Sequence, residues 1–435
     1  MKQKINVGLI GLGTVGTGAL RILRQNAELI RHRVGVPIEV TRVAVRDLKR
    51  DRGVDIPPGL LTNDPAKIIQ DPDIDIVVEL IGGYQPAKEL ILSAIARGKH
   101  VVTANKALLA GHGAEIQRAA CLAAVNLGFE ASVGGGIPVI KALKEALAGN
   151  RILSIYGIIN GTSNYILSKM THEGRSFEDV LAEAQRAGYA EADPTFDVGG
   201  IDTTHKLAIL VNLAFGAYVN VNDIFTEGIT AISPLDIDFG KQLGYKVKLL
   251  AIAKMHDGQV EARVHPTMVP EEYPIAKIDG VYNAIQIVGD ASDDIMLSGR
   301  GAGSLPTGSA VVADIIDITR QILLAPSRTL PADCAEARGP LKLQPIELIR
   351  SIYYFRLVVL DQPGVLAQIS GILGKHRISI AQMIQRGRKE GGSVPLVIMS
   401  HTALERDVRH AMLEIKALSC VSEQPVVIRV EGEEQ

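Results

Sequence analysis

The first 130 residues alternate short apolar runs with stretches of helical period, the pattern of a parallel sheet with crossover helices. Apolar runs at 5–10, 38–45, 74–81, 100–103 and 125–129 predict strands, and residues 17–31, 87–97 and 113–122 predict helices. Beyond residue 130 the pattern changes. Helical periodicity at 176–187 and 203–217 encloses an acidic, proline-bearing loop, "GYAEADPTFDVGGID". The stretches "LLAIAKM" and "QVEARVHPTMVP" predict strands, and the glycine-rich "SGRGAGS" leads into a helix expected to return onto the first domain. Proline-dotted residues 326–352 predict a linker. From Tyr353 the order is strand, helix, two strands, helix, strand, which is the ferredoxin-like βαββαβ unit. The expected architecture is α/β in three parts. Residues 1–130 with a returning segment at 301–325 form the first, an α+β domain at 131–300 the second, and residues 353–435 the third.

Composition narrows the function classes. With 435 residues the chain can build several cores, and a net charge of −2 gives no basic excess for nucleic acid or anionic membrane. Trp is absent and aromatics are 4%, too few for base-stacking platforms. "MKQKINVGLIG" has no apolar stretch with a cleavage site, and no apolar run reaches membrane-spanning length. The three cysteines, Cys121, Cys334 and Cys420, show no paired or metal-type spacing, which suits a reducing cytoplasm.

The candidate chemistry begins at Gly11-Leu12-Gly13-Thr14-Val15-Gly16, a G-x-G-x-x-G that follows a strand and enters a helix. In a Rossmann-type domain the first glycine makes the tight turn and the second admits the pyrophosphate; the third lets helix pack on strand. The helix N-terminus then faces the phosphates. The second strand ends "VAVRDLKR". Arg46 with Lys49 and Arg50 favours the 2′-phosphate of NADP(H), while Asp47 could hold the ribose 2′-hydroxyl of NAD, and both readings stand. "VVTANK" sets Thr103 and Lys106 at a strand end, where open α/β sheets place ligands. The densest constellation is "AGYAEADPTFDVGGIDTTHK", with Glu191, Asp197, Asp202 and Lys206. Asp202 and Lys206 are four apart and share one face of a helix that continues almost wholly apolar. A surface ion pair has the same spacing, but entry into a buried helix favours a cleft. His205 has no evident chemical partner and reads as structural. "FEASVGGGIPVIKAL" is by pattern a strand-to-helix turn. No cysteine has a nucleophile's setting, so the chemistry implied is hydride transfer with a side-chain proton donor.

Together the glycine turn, "VVTANK", "GGGIP", "NGTSNYI" and above all "AGYAEADPTFDVGGIDTTHK" resemble homoserine dehydrogenase over about residues 4–325. The C-terminal unit, with "LDQPGVLAQIS", resembles an ACT domain, as in the monofunctional form of that family. The resemblance implies NAD(P)H-dependent reduction of L-aspartate 4-semialdehyde to L-homoserine, in threonine, methionine and isoleucine biosynthesis. It makes Lys206 the proton donor and Lys106 a second catalytic lysine near the nicotinamide and the reacting carbonyl. Glu191 and Asp202 would bind substrate, with Asp197 and Thr162 in the same role. Gly188 and Gly303 match cofactor-contacting glycines. Glu130, Val133, Gly135 and Ile137 match a structural sodium site built mostly of backbone oxygens. The tail implies feedback by an amino acid, L-threonine, and ACT pairing implies a homodimer or homotetramer. Other readings are an aspartate semialdehyde dehydrogenase, a sugar dehydrogenase and a non-catalytic amino-acid sensor. Against them stand the missing nucleophilic cysteine, Lys106-Ala107 where sugar enzymes carry lysine–proline, and the intact Glu191–Asp202–Lys206 set.

Overall fold

The computed structural model describes residues 2–324 apart from 217 and 257, and residues 342–432 apart from 386 and 388–391. The chain divides into two compact units. One comprises residues up to Leu153, His205–Asp223 and the stretch from Asn283; the other comprises Ser154–Thr204, Ile224–Tyr282 and the chain from Lys342.

The first unit is built on a six-stranded parallel sheet in the spatial order Leu61–Thr62, Ile38–Ala44, Ile5–Ile10, Ile76–Glu79, His100–Thr103, Leu127–Gly128. Both faces of its central strands are covered, which is why Ile5–Ile10 and Ile76–Glu79 are nearly continuous apolar runs, whereas Ile38–Ala44, less buried, alternates. Val7, Leu9, Val78 and Val102 pack on one face against Leu20 and Leu23 of helix Thr14–Gln25 and against Val311 and Ile315 of helix Ser304–Leu324. Val77 and Val101 on the other face meet Ile91, Leu108 and Ile116. The strand order reverses beside Ile5–Ile10, and this switch point is where the glycine turn begins.

Two helices depart from their expected bounds. The segment expected as one helix at 17–31 is two, Thr14–Gln25 and Ala27–Val34, with Asn26 between them outside helical geometry. The helix expected from 113 starts at Lys106, because the Asn105 side chain accepts the Leu108 N–H at 3.1 Å and caps it. Gly111 and Gly113 masked this first turn in the sequence. Pro138 lies just ahead of the short helix Val139–Lys141 rather than inside it.

The second unit is organised by a hairpin of two twelve-residue strands, Tyr245–His256 and Gln259–Pro270, paired along their whole length. Residues 154–157 pair with the first strand, and the final strand Val426–Val430 lies parallel to the second. The sheet then continues through Arg350–Leu360, Ser393–Ser400 and Ile380–Gln385. The C-terminal βαββαβ module therefore extends the same sheet. Its helices Val365–Lys375 and Glu405–Lys416 enclose a separate core that includes Phe355, Leu357, Ile369, Val408 and Ile415. The strand expected from 353 starts at Arg350. Lys342 and Gln344 exchange backbone hydrogen bonds with Val260, so this end of the expected linker joins the sheet. Residue 325, residues 326–341 of that linker and most of "RGRKEGGS" lie outside the described residues.

Among the described residues no helix is long and apolar enough to cross a membrane. Cys420 is a buried free thiol. Cys334 lies outside the described residues.

The parallel sheet contains one proton-sensitive position. The Asn126 N–H donates to Nδ1 of His100 at 3.0 Å, and burial lowers the imidazole to about 4. The fold thus favours neutral His100, and this stabilisation is complete above the unfolded value near 6.5 and lost as pH falls toward 4. The melting temperature of His100→Gln should accordingly fall less than that of the parent chain between pH 7 and pH 4.5, by about 2–4 °C, in parallel thermal scans.

Candidate active site

The glycine turn is shaped as a phosphate cradle requires. Gly11 has φ +107° and its N–H is held by the carbonyl of Ala44, at the end of the second strand. A Cβ at Gly11 would stand 2.8 Å from the Leu80 carbonyl oxygen, so the tight turn excludes a side chain there. A Cβ at Gly13 would meet no protein atom within 4 Å. Gly13 precedes helix Thr14–Gln25 and no side chain caps that terminus, so its N–H groups and positive dipole end are open to an anion. Leu12 is buried in the core beneath, while Thr14 is exposed. The Ser304 hydroxyl donates to the Thr14 carbonyl at 2.8 Å and brings Gly303, at φ +126°, beside the turn. These residues fit a dinucleotide.

Arg46 is exposed two positions beyond Ala44, the residue that holds Gly11. Asp47 is turned onto its own loop, where Oδ1 accepts the Lys49 N–H at 2.8 Å. Thr103 is fully buried with its hydroxyl donating to Glu79 at 2.6 Å, so its side chain shapes the crevice from beneath. Glu79 also accepts the N–H groups of Ile81 and Gly82, at 2.8 and 3.1 Å, and the Asn105 amide donates to the Gly83 carbonyl at 2.7 Å. Glu79 escapes a motif search because a carboxylate closing an apolar strand looks like its solvent end; it is in fact wholly buried. Lys106 is the first residue of helix Lys106–Leu122 and is half-buried.

The acidic loop belongs to the second unit. Asn160 caps helix Gly161–Glu173 by accepting the Ser163 N–H at 2.8 Å, and its amide nitrogen donates to Asp197 at 2.8 Å and Asp202 at 2.9 Å. All polar capacity of one side chain is thus used to bring two carboxylates to a common point. Asp202 is 2% exposed. Asn160 was not singled out from sequence, although an asparagine before Gly-Thr-Ser has the signature of a helix cap. The Thr162 hydroxyl is engaged by the Tyr189 carbonyl at 2.6 Å, and Gly188 is exposed at φ +73°. The Glu191 side chain is exposed, with its carbonyl held by Gln185. Helix Ile201–Phe215 carries Asp202 and, one turn on, Lys206 at 8% exposure.

The expected cation group is buried in the first unit. Glu130 is 2% exposed, and its two carboxylate oxygens accept the N–H groups of Ile140 and Lys141, both at 2.9 Å. Val133, Gly135 and Ile137 are buried nearby in sequence, with Gly135 at φ +58°. Among the described residues no group of three His, Cys, Asp or Glu side chains could hold a metal ion, so a cation here would depend on backbone oxygens.

A glycine-cradled dinucleotide site, a buried aspartate–lysine helix and a βαββαβ module define an NAD(P)-dependent oxidoreductase with an appended ACT domain. Comparison with known proteins gives the family. Residues 11–130 match the homoserine dehydrogenase NAD-binding domain, residues 138–316 the homoserine dehydrogenase domain, and residues 353–420 the ACT domain. The chain is 46% identical over 434 residues to a homoserine dehydrogenase of Pseudomonas aeruginosa, covering 99% of each. It is 37% identical to that of Bacillus subtilis, again covering 99% of each. The crystal structure of a homoserine dehydrogenase from Thiobacillus denitrificans superposes with a TM-score of 0.93 at 48% identity and 98% coverage of both chains. A hyperthermophilic archaeal homoserine dehydrogenase in complex with NADPH matches 75% of this chain and 99% of its own, with a TM-score of 0.63 and 26% identity. The chain belongs to the homoserine dehydrogenase family.

Gly13 offers a direct test of the cradle. Its φ of −83° suits any residue and the space around it is open, so Gly13→Val should leave the melting temperature unchanged. The same side chain would occupy the phosphate position, and fluorescence titration should show NADPH binding weakened by about tenfold or more.

Proposed function

We propose that this homoserine dehydrogenase prefers NADP(H) and reduces L-aspartate 4-semialdehyde to L-homoserine, with Lys206 as proton donor and the acidic loop as substrate clamp. The observation that carries the assignment is the Asn160-held pair Asp197 and Asp202, the second of them one helical turn from Lys206. Converging carboxylates are the acceptors that an amino-acid ammonium group requires, and Glu191 and Thr162 border the same loop. NADP(H), held by the glycine turn, would supply the hydride that reduces the aldehyde carbon. Lys206 protonates the resulting alkoxide oxygen, and its burial keeps bulk water from that proton. Lys106, at the head of its helix, is the second catalytic lysine of this reading.

Exposed Arg46 supports NADP, because Asp47 is committed to its own turn. The NADPH bound to the archaeal relative agrees with that preference. By family resemblance Gly188 contacts the cofactor, as do the glycine turn, Arg46, Thr103 and Gly303. A sodium ion held by Glu130, Val133, Gly135 and Ile137 serves the fold rather than the reaction. L-Threonine acts on the ACT domain as feedback effector of the threonine, methionine and isoleucine branches. The enzyme works as a cytoplasmic homodimer or homotetramer.

The deciding assay follows absorbance at 340 nm with L-homoserine and each cofactor, with and without L-threonine. Lys206→Ala should lose at least about a hundredfold in kcat while its Kd for NADPH stays within twofold. Retention of most of the rate would remove Lys206 from the mechanism.

A further inference from the structure

A strap of chain, residues 224–236, lies between the acidic loop and the ACT module, and both hold it. All three elements belong to the second unit. On the loop side, the Ile229 N–H donates to the Val198 carbonyl at 2.9 Å, next to Asp197. The Thr204 and Thr226 hydroxyls are 2.7 Å apart, two residues beyond Asp202. A Cβ at Gly228 would come within 2.7 Å of the Gly199 Cα, so the strap is pressed directly against the loop backbone.

On the other side the strap meets ACT side chains. Arg429 of the final strand donates to Glu227 at 2.9 Å and to Glu405, at the head of an ACT helix, at 2.6 and 2.9 Å. The guanidinium groups of Arg429 and Arg409 stand 4.7 and 5.4 Å from the Phe225 ring centroid, a cation–π geometry. Farther along, Asp236 accepts Arg356 at 2.6 Å and the Tyr354 hydroxyl at 3.2 Å. The ACT module thus grips the strap at both ends, while its middle supports the turn that carries Asp197 and Asp202.

We infer that Phe225 and Glu227 are positioning residues for the substrate carboxylates, and that the ACT module sets the geometry of the acidic loop through them. Movement of the Arg429–Glu405–Arg409 cluster displaces Phe225 and Glu227, and the Val198 and Thr204 contacts pass that shift to Asp197 and Asp202. The inference rests on the proposed reading of the loop as substrate clamp.

The test compares Glu227→Gln, Arg409→Gln and Arg409→Lys with Asp202→Asn in the full-length enzyme. The side chains of Glu227 and Arg409 are each 39% exposed, so these changes leave the fold intact, as melting temperatures will show. Glu227→Gln and Arg409→Gln should raise KM for L-homoserine by about three- to tenfold, with kcat and the Kd for NADPH within about twofold. Arg409→Lys keeps a cation over the ring and should stay near the parent value. If Asp202→Asn raises KM and the other variants do not, the coupling is refuted while the clamp stands. If Asp202→Asn leaves KM unchanged, the clamp reading fails, and this inference fails with it.

Discussion

The second unit depends on a guanidinium with no access to water. Arg263, in the middle of the hairpin strand Gln259–Pro270, is 1% exposed and lies between Glu261, at 2.7 Å, and Glu431, which follows the final strand. Lys254 reaches Glu431 as well, at 2.8 Å. Burying such charges is costly, and removing one partner costs about 3–5 kcal/mol because the other is left stranded. Burial first, and then the neighbouring Arg429 and Arg263, hold the His265 imidazole well below its ordinary value, so one more positive charge does not enter. The parallel pairing of Thr267 and Met268 with Arg429 and Val430 is short, and the charged seam is what fixes its register.

That seam changes what the C-terminal module is. A βαββαβ unit with its own core could hang from a linker and signal only by docking. Here its last strand is hydrogen-bonded into the sheet that carries the catalytic-domain hairpin. Arg356 meets Asp236, and Arg429 meets both Glu227 and Glu405, with the carboxylates half-enclosed or buried. Such a junction has few small adjustments open to it. Charge pairs held at 2.6–2.9 Å in a low-dielectric seam either stay formed or break as a set.

The strands of the parallel sheet and the βαββαβ order were legible because burial on two faces, or on one, imposes simple periods on sequence. Strand Ile5–Ile10, strand His100–Thr103 and helix Ala87–Ala96 follow from those periods almost residue for residue. The start of helix Lys106–Leu122 did not, since its first turn is stabilised by the Asn105 cap and not by an apolar stripe. The acidic loop was legible as a motif, but Asn160 was not, because a neutral amide carries no chemical signature until two carboxylates converge on it. Glu79, Arg263 and Arg429 share that obscurity. A charged residue in a strand looks solvent-facing in sequence, and only the partner brought from far along the chain makes its burial possible.

The same distinction explains how the molecule divides its tasks. The motifs that carry the family resemblance lie in contiguous stretches, the glycine turn and the loop at 187–206 among them. Residues that fix where those stretches stand are scattered: Asn160 lies 37 and 42 positions from its aspartates, and Arg429 lies 202 positions from Glu227. Local sequence therefore carries the chemistry, and long-range charge pairing carries its alignment. A change at Arg429 or Glu227 leaves the residues of the acidic loop themselves unaltered, yet changes the contacts of the strap on which that loop rests. Differences in substrate affinity among chains with identical motifs would therefore originate in this scattered set.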